Sequence, residues 1–372
     1  MIPQVENRAA AQGAERVLTG RDDPLAAYDY QLPPELIAQR PARRRVQARM
    51  MVLPRGGGLA HQKVAWLTRW LEAGDLLVMN DTRVVPARLK AKKPTGGAVE
   101  LLLLQPAQPL ERGDDGSELH RVLTRNLGSL APGTPLLLEG EPRAWAELVE
   151  RGERGRAVVR FGRPALELAA QLGQTPLPPY IKRPAGPNPQ DARRYQTVYA
   201  AKDGAVAAPT AGLHLSPELL GALRRRGVET AWITLHVGYG TFAEPSPEDL
   251  AAGRLHPEWV EVKDEVVQAI ERTRSRGGRV IAVGTTTMRA LEWRAGGKGG
   301  LTPGRGWCDL LISEGHRFKV AHGLLTNFHL PRTTLLMLVA ALAGRRRVLE
   351  AYAEAVKRGY RFYSFGDAML II

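Results

Sequence analysis

The pattern of apolar residues changes near residue 164, and this change constrains the fold more than any other feature. Between Val99 and Phe161, short apolar runs alternate with turns rich in Gly, Pro and Asp. No stretch of helical period in this region reaches the length of a helix. Short strands at close spacing are typical of a small antiparallel barrel or sandwich. The first half of the chain is therefore expected to contain a small β domain.

Downstream of Pro164, helical and strand patterns alternate. One predicted helix opens at Ser216 and ends before Gly227, because serine can cap a first turn and glycine can end a last one. Strand patterns at 230–237 and 279–283 lie between the predicted helices. This alternation favours an α/β layer on a largely parallel or mixed sheet.

Together the two patterns predict the fold class and the domain organisation. Residues 25–74 and 164–372 are expected to form a mixed-sheet α/β main domain, and residues 75–163 an inserted small antiparallel β-barrel domain. Residues 1–24 are polar and alanine-rich, which is typical of a flexible terminal extension. With 372 residues, 44% of them hydrophobic, the chain is long enough to bury two cores.

The charge is strongly positive. Lys and Arg number 52 against 38 Asp and Glu, which gives a formal net charge of +14. Such an excess attracts polyanions, nucleic acid first. An arginine-rich proteome would raise the charge of any protein, so charge alone leaves nucleic-acid binding open.

Cysteine usage and apolar runs indicate the compartment. The single cysteine, Cys308, excludes an internal disulfide and a cysteine zinc site and indicates a reducing compartment. The longest apolar run, 335–343, is far shorter than the ~20 residues of a membrane helix. A cytoplasmic protein without membrane contact is expected.

A predicted strand, turn and helix at 279–289 form a candidate anion site. Gly284 frees the backbone, and Thr285 and Thr286 place hydroxyls beside the unpaired amides of a helix N-terminus. This combination suits a carboxylate or a phosphate. Capping of the helix by one threonine is the alternative.

Three further turns place histidine or asparagine among small residues after apolar strands. Their candidate residues are Thr210, Gly212, His214, His236, Gly238, Gly240, Thr241, Asn327 and His329. An imidazole at a strand end can act as acid or base near neutral pH. A histidine satisfied within the core, and tight packing of the small residues, are the alternatives.

Charged residues precede the β region. Arg83 can hold a phosphate or a carboxylate with two hydrogen bonds, whereas a surface pair with Asp81 is the alternative. The spacing of His236, His256 and His329 matches no metal site, so no metal is expected.

Many segments of the chain occur in a characteristic order, and several are runs of seven or more residues. They are 74–89, 95–97, Glu100, 176–181, 195–199, 207–214, 234–242, 283–286, Arg289, Glu292, 325–331, 360–362 and 366–368. In this order the chain resembles the S-adenosylmethionine:tRNA ribosyltransferase-isomerase family of queuosine biosynthesis. The resemblance implies an α/β domain and a β-barrel domain.

The resemblance also implies a reaction. The ribosyl part of S-adenosylmethionine would be transferred to 7-aminomethyl-7-deazaguanine at the tRNA wobble position and isomerised, giving epoxyqueuosine, adenine and methionine. S-adenosylmethionine would be consumed as a substrate, with no metal or separate cofactor. The partner would be the tRNA anticodon stem-loop, bound by a cytoplasmic monomer.

Roles for single residues are implied in the same way. The catalytic candidates are His236 and His214 for proton transfer, with Asp81 and Glu258 as alternatives. Thr285 and Thr286 would bind the methionine carboxylate, and Arg83 and Arg88 would face phosphate or the flipped base. The other substrate-binding candidates are Thr210, Gly212, Gly238, Gly240, Thr241, Gly284, Arg289, Asn327 and His329. An S-adenosylmethionine-dependent RNA methyltransferase and a non-catalytic tRNA-binding protein are the alternative functions.

Overall fold

A computed structural model describes residues 23–184, 186, 188–238, 240, 245–297 and 299–372. Residues 1–22 of the predicted terminal extension lie outside the described residues, and so does the candidate Thr241. In the described part of the chain, no helix has both the length and the apolar character needed to cross a membrane.

Among the described residues, eleven strands precede the first α-helix, and the later strands are interspersed with α-helices. The strands are β1 (Arg49–Leu53), β2 (Ala60–Lys63), β3 (Leu76–Asn80), β4 (Thr82–Val84), β5 (Arg88–Lys92), β6 (Ala98–Leu103), β7 (Glu111–Arg112), β8 (Glu118–Arg125), β9 (Pro135–Leu138), β10 (Trp145–Arg151), β11 (Arg156–Phe161), β12 (Lys202–Ala205), β13 (Glu229–Leu235), β14 (Arg254–Val262), β15 (Val280–Val283), β16 (Gly304–Leu310), β17 (Gly323–Asn327) and β18 (Ala368–Ile371). The α-helices are α1 (Ala165–Leu172), α2 (Pro189–Arg194), α3 (Pro217–Arg225), α4 (Pro247–Ala251), α5 (Asp264–Ser275), α6 (Thr285–Arg294), α7 (Thr334–Ala343) and α8 (Arg345–Lys357).

The larger sheet joins nine strands in the order β16-β14-β13-β3-β15-β17-β18-β1-β2. At its centre β13, β3, β15 and β17 run parallel. Strands β3, β15 and β17 are buried along their whole length, as expected for parallel strands covered on both faces. The sequences of β3 and β15 are accordingly nearly continuous apolar runs, whereas β17 ends in the polar residues Thr326 and Asn327.

The smaller sheet closes into a barrel. Strands β5, β6, β8, β11, β10 and β9 pair antiparallel in a ring. Buried and more exposed residues alternate along β8 and β11, because one face of each strand points into the barrel core. Helix α1 packs against this core through Ala165 and Leu168. The predicted fold class, a mixed-sheet α/β body with a small antiparallel barrel, is confirmed.

The boundary predicted at residue 75 needs correction. Strand β3, Leu76–Asn80, pairs in parallel with β13 and β15 in the large sheet, not with the barrel. Strand β4 pairs with β12 in a small parallel sheet, so the barrel begins only at β5, Arg88–Lys92. The short apolar run of β3 looks like those of the barrel, and only its long-range pairing distinguishes it.

One buried carboxylate links the start of β3 to the start of β15 through hydrogen bonds. Asp75 is 3% exposed and accepts hydrogen bonds from Glu72 N at 2.8 Å, Arg279 N at 3.1 Å and Arg279 Nε at 3.0 Å. Burial alone would raise the pKa of Asp75, but the hydrogen bonds from Arg279 and the backbone amides lower it below its usual value. The charged carboxylate therefore stabilises the native state.

Replacing Asp75 by Asn should lower the free energy of unfolding at neutral pH by about 2–3 kcal/mol, because charge-assisted hydrogen bonds are lost. Since folding lowers this pKa, the stabilisation is present above the unfolded pKa and is lost as pH falls through the folded pKa. Urea unfolding, repeated in steps from neutral pH to about pH 2.5, should show the difference between wild type and variant shrinking.

Asp203→Asn is the matched control. Asp203 pairs with Arg83 at 3.5 Å, and both side chains are about half exposed, so its loss should cost under ~1 kcal/mol. An Asp75→Asn effect that is equally small, or that does not change with pH, would contradict the role of this carboxylate.

Candidate active site

Four parallel strands of the large sheet end at one edge, and polar residues lie at or just beyond each end. They are Asp81 after β3, His236 after β13, Thr285 two residues after β15, and Asn327 at the end of β17. Ligands of open α/β sheets bind outside the carboxyl ends of the strands. This edge is therefore the candidate site.

The imidazole of His236 is held from three sides. Its Nδ1 lies 2.8 Å from Thr82 Oγ1, and its ring stacks on Trp259 with centroids 5.1 Å apart. A Cβ at Gly204 would lie 2.7 Å from Nε2, so only glycine leaves room for the ring. His236 is thus a fixed ring in the wall of the site.

The N-terminus of α6 presents free backbone amides. Gly284, at φ +94°, is the cap residue and offers no side-chain cap. Thr287 Oγ1 donates to Val283 O at 2.8 Å, so capping by a threonine, the alternative drawn from the sequence, is not the arrangement found. Thr285 and Thr286 are buried at the first turn, where unpaired amides attract anions.

A buried ion pair joins the same helix to β14. Arg289 Nη1 donates to Glu258 Oε2 at 2.7 Å, and Arg289 Nε donates to Leu310 O at 3.0 Å. Glu258 Oε1 in turn accepts from Gly238 N at 3.1 Å. Arg289 Nη2 is buried and has no hydrogen-bond partner among the described residues. A buried guanidinium nitrogen without an acceptor is costly, so this corner favours an anionic ligand.

Three histidines near the edge are buried. Burial lowers the pKa of His214 and of His236 to about 4 and the pKa of His329 to about 3. All three rings are therefore neutral at physiological pH, and each keeps one nitrogen lone pair.

A small cavity of about 50 Å³, called here the aromatic cavity, opens at the ends of β15 and β17. Its rings are those of Tyr180, Tyr195, Phe328 and Tyr363, and its polar side chains include those of Thr285, Thr286, Asn327 and His329. With His329 neutral, none of the described side chains that line it carries a charge.

A larger cavity of about 470 Å³, called here the charged cavity, lies between the barrel and the large sheet. Its charged or titratable lining consists of Arg121, Glu150, Arg156, Asp249, His256, Glu258 and Arg289. Thr286 and Leu335 line both cavities, so the two are neighbours. No three potential metal ligands come together within the described ranges.

A third space of about 910 Å³, called here the proline-walled groove, runs between barrel strands and the segment 173–192. Arg88, Arg125 and Lys182 line it, together with several prolines. The consecutive residues Tyr180 and Ile181 line the aromatic cavity and the groove respectively. The groove therefore borders the candidate site.

Many of the residues predicted from the sequence meet at the two cavities. Those that line them are Thr210, Gly240, Glu258, Gly284, Thr285, Thr286, Arg289, Asn327 and His329. His214 lies behind Asn327, with its Nε2 3.1 Å from Asn327 Nδ2. His236 and Gly238 flank Val237, which lines the aromatic cavity.

Other predicted residues lie outside the cavities. Arg83 is exposed and pairs with Asp203, a surface pair with a different partner from the Asp81 considered as its alternative. Asp81 accepts a hydrogen bond from Thr234 Oγ1 at 2.7 Å, and burial raises its pKa. Gly212 serves packing, because a Cβ there would lie 2.1 Å from Tyr199 Oη. Arg88 lines the groove instead.

The tyrosines of the aromatic cavity were not predicted as site residues. Tyr180 and Tyr195 belong to segments that carry the family resemblance, but a ring in an extended segment indicates no chemistry by itself. Tyr363 adopts φ +72°, a conformation rare for a bulky residue and frequent at functional sites. The sequence carries no signal for that backbone conformation.

The chain is similar to proteins of one kind over nearly its whole length. A family described as "Queuosine biosynthesis protein" matches residues 25–371. A protein of Synechococcus sp. (strain CC9311), named S-adenosylmethionine:tRNA ribosyltransferase-isomerase, is 49% identical over 94% of this chain and 96% of its own length. A protein of Acidiphilium cryptum (strain JF-5) with the same name is 47% identical over 93% and 99%.

A solved structure is similar as well. The crystal structure of an S-adenosylmethionine tRNA ribosyltransferase from Thermotoga maritima has a TM-score of 0.52 and 38% sequence identity. The match covers 93% of this chain and 100% of the other.

NMR titration of the histidine Cε1–H signals, assigned with His214→Gln, His236→Gln and His329→Gln, should find these three rings neutral from about pH 8 to pH 5.5. Because burial lowers these pKa values below the unfolded value of about 6.5, stability should fall as pH drops from about 6.5 to 4. A ring among the three that titrates near pH 6.5 would contradict the described burial.

Proposed function

Because the chain belongs to the queuosine biosynthesis protein family, we propose that it is an S-adenosylmethionine:tRNA ribosyltransferase-isomerase. It transfers the ribosyl part of S-adenosylmethionine to 7-aminomethyl-7-deazaguanine at the tRNA wobble position and isomerises it. Epoxyqueuosine forms in tRNA, and adenine and methionine are released. The observation that carries the proposal is the unpartnered Arg289 Nη2 beside a free helix N-terminus, next to a cavity with a neutral histidine.

The charged cavity is proposed to hold the methionine end. Thr285 and Arg289 are four residues apart on α6 and therefore share a face, where helix amides and Arg289 Nη2 can bind the carboxylate. Glu258 keeps the guanidinium in place through the 2.7 Å ion pair. Glu150 and Asp249 in the same cavity are available to the ammonium group.

Proton transfer is proposed for His329. The positive sulfonium makes the adjacent 5′ carbon acidic, so a base must remove a proton there before the ribosyl group can rearrange. His329 lines the aromatic cavity, is neutral, and is oriented by Thr326 Oγ1, 2.9 Å from its Nε2. His236, the first candidate from the sequence, is proposed to support the wall from behind.

The proline-walled groove is proposed to receive the tRNA anticodon stem-loop. Arg88 Nε is buried with no hydrogen-bond partner among the described residues, Arg125 is 70% exposed, and Lys182 is exposed at the same groove. Guanidinium and ammonium groups bind phosphates. Loop bases can splay out of the stem, and the adjoining residues Tyr180 and Ile181 would bring one beside the aromatic cavity.

The rest of the proposal follows from the reaction. S-adenosylmethionine supplies the ribosyl group and is consumed, so the proposed enzyme needs no separate cofactor. A cytoplasmic monomer is proposed, since one chain contains both cavities and the groove.

Incubation with precursor tRNA and labelled S-adenosylmethionine should yield free adenine, methionine and epoxyqueuosine nucleoside. His329→Gln should lower turnover by about 10²-fold or more, because a proton-transfer group is lost. His236→Gln, the matched control, should lower turnover by about tenfold or less. A larger loss of turnover in His236→Gln than in His329→Gln would assign the proton transfer to His236. S-adenosylhomocysteine as a product would indicate a methyltransferase.

A double variant, Arg125→Glu with Lys182→Glu, should raise the KM for tRNA by about tenfold or more and flatten its salt dependence, because phosphate contacts are lost. Binding of S-adenosylmethionine should not change. Arg346→Glu with Lys357→Glu is the charge-matched control, since both residues are exposed on α8 and neither lines the groove. Equal effects of the double variant and the control would contradict the proposed docking site.

A further inference from the structure

The side-chain amide of Asn327 has a fixed orientation. Asn327 Nδ2 donates to Tyr363 O at 3.0 Å and lies 3.1 Å from His214 Nε2. A backbone carbonyl only accepts, so the group facing Tyr363 is the NH₂ group. His214 Nε2 therefore accepts the second hydrogen, and His214 Nδ1 carries the ring proton.

This orientation leaves the amide oxygen without a partner. Asn327 is 2% exposed, and its Oδ1 is buried with no hydrogen-bond partner in the described ranges. Buried acceptors are rarely left unpaired, because a buried acceptor has lost its hydrogen bonds to water. Since Asn327 lines the aromatic cavity, a ligand in that cavity can supply the missing donor.

The surroundings restrict what kind of donor can bind. Burial raises the pKa of Tyr363 to about 12 and also raises those of Tyr180 and Tyr195, so these phenols are neutral. His329 is neutral as well. An ammonium group would lose its hydration here without a counter-charge, whereas a flat neutral heterocycle can pack against the rings.

The backbone of Tyr363 belongs to the same hydrogen-bond network. At φ +72° the residue is strained, and it is held there by hydrogen bonds from Tyr363 N to Phe328 O at 3.0 Å and from Gly366 N to Tyr363 O at 2.9 Å. The bond from Asn327 Nδ2 adds a third. The ring of Tyr363 and the oxygen of Asn327 are therefore fixed relative to each other.

We propose that the opening of the aromatic cavity is a subsite for a 6-aminopurine, whose exocyclic amine enters the cavity and donates a hydrogen bond to Asn327 Oδ1. His214 is then a positioning residue that fixes the amide of Asn327. The inference rests on the proposed function, because it places the adenine of S-adenosylmethionine here and the methionine end in the charged cavity.

The subsite should discriminate against a 6-oxopurine. In such a ligand a carbonyl oxygen would face Asn327 Oδ1, and two acceptors with no proton between them repel each other. Because His214 and Tyr363 O hold the amide, it cannot turn to offer its NH₂ group without breaking both bonds.

Calorimetric titration of the full chain with S-adenosylmethionine and with its 6-oxopurine analogue, S-inosylmethionine, tests the subsite. Wild type should bind S-adenosylmethionine about tenfold tighter or more, and Asn327→Ala should reduce that ratio to about threefold or less. His214→Leu should also reduce it, and His214→Gln, which restores an acceptor for Nδ2, should recover part of it. If Asn327→Ala does not fold, the same ratio of affinities is measured with Asn327→Ser.

The ratio within each variant separates recognition from general damage to the fold. No discrimination by wild type, or a ratio unchanged by Asn327→Ala, would overturn the subsite even if adenine is released normally from S-adenosylmethionine and tRNA. Discrimination without any adenine release would instead overturn the proposed function and leave the subsite standing. Absence of S-adenosylmethionine binding would overturn both.

Discussion

The parallel pairing of β3, β13, β15 and β17 is the constraint on which the rest of the structure depends. It brings turns that are distant in sequence to one edge. Asn80 extends the pairing to the end of β13, because its Nδ2 donates to Leu235 O at 2.8 Å and its Oδ1 accepts from Leu235 N at 3.0 Å. The imidazole, hydroxyl and amide groups that follow these strands are placed by that register.

Charge is divided between the two cavities of this edge. Among the residues that the structure describes, those lining the aromatic cavity have no charged side chain, whereas the charged cavity contains the buried pair of Arg289 and Glu258. S-adenosylmethionine has the same division, with a neutral purine at one end and a zwitterionic amino acid at the other. Thr286, which lines both cavities, marks where the two halves of such a ligand would meet.

Local features of the fold could be predicted because they depend on neighbouring residues. The helix predicted to open at Ser216 begins there, with Ser216 Oγ accepting from Leu219 N at 3.2 Å, and the turn at Gly284 leads into α6 as expected. The barrel was predictable for the same reason, since its short strands and turns follow each other along the chain.

Features set by long-range contacts could not be predicted. The place of β3 in the large sheet depends on pairing with β13 and β15, which lie far away in sequence. The hydrogen bond between His214 and Asn327 joins residues that are far apart in sequence, and no local pattern indicates it. Arg83 pairs with Asp203, a contact that charge spacing near residue 81 does not reveal.

A crystal structure of the protein with S-adenosylmethionine bound would show directly how the two cavities divide the ligand. We expect the adenine amine within hydrogen-bond distance of Asn327 Oδ1, and the carboxylate on Arg289 Nη2 and the amides that open α6. A ligand bound elsewhere, or bound with its carboxylate among the tyrosines, would contradict this expectation.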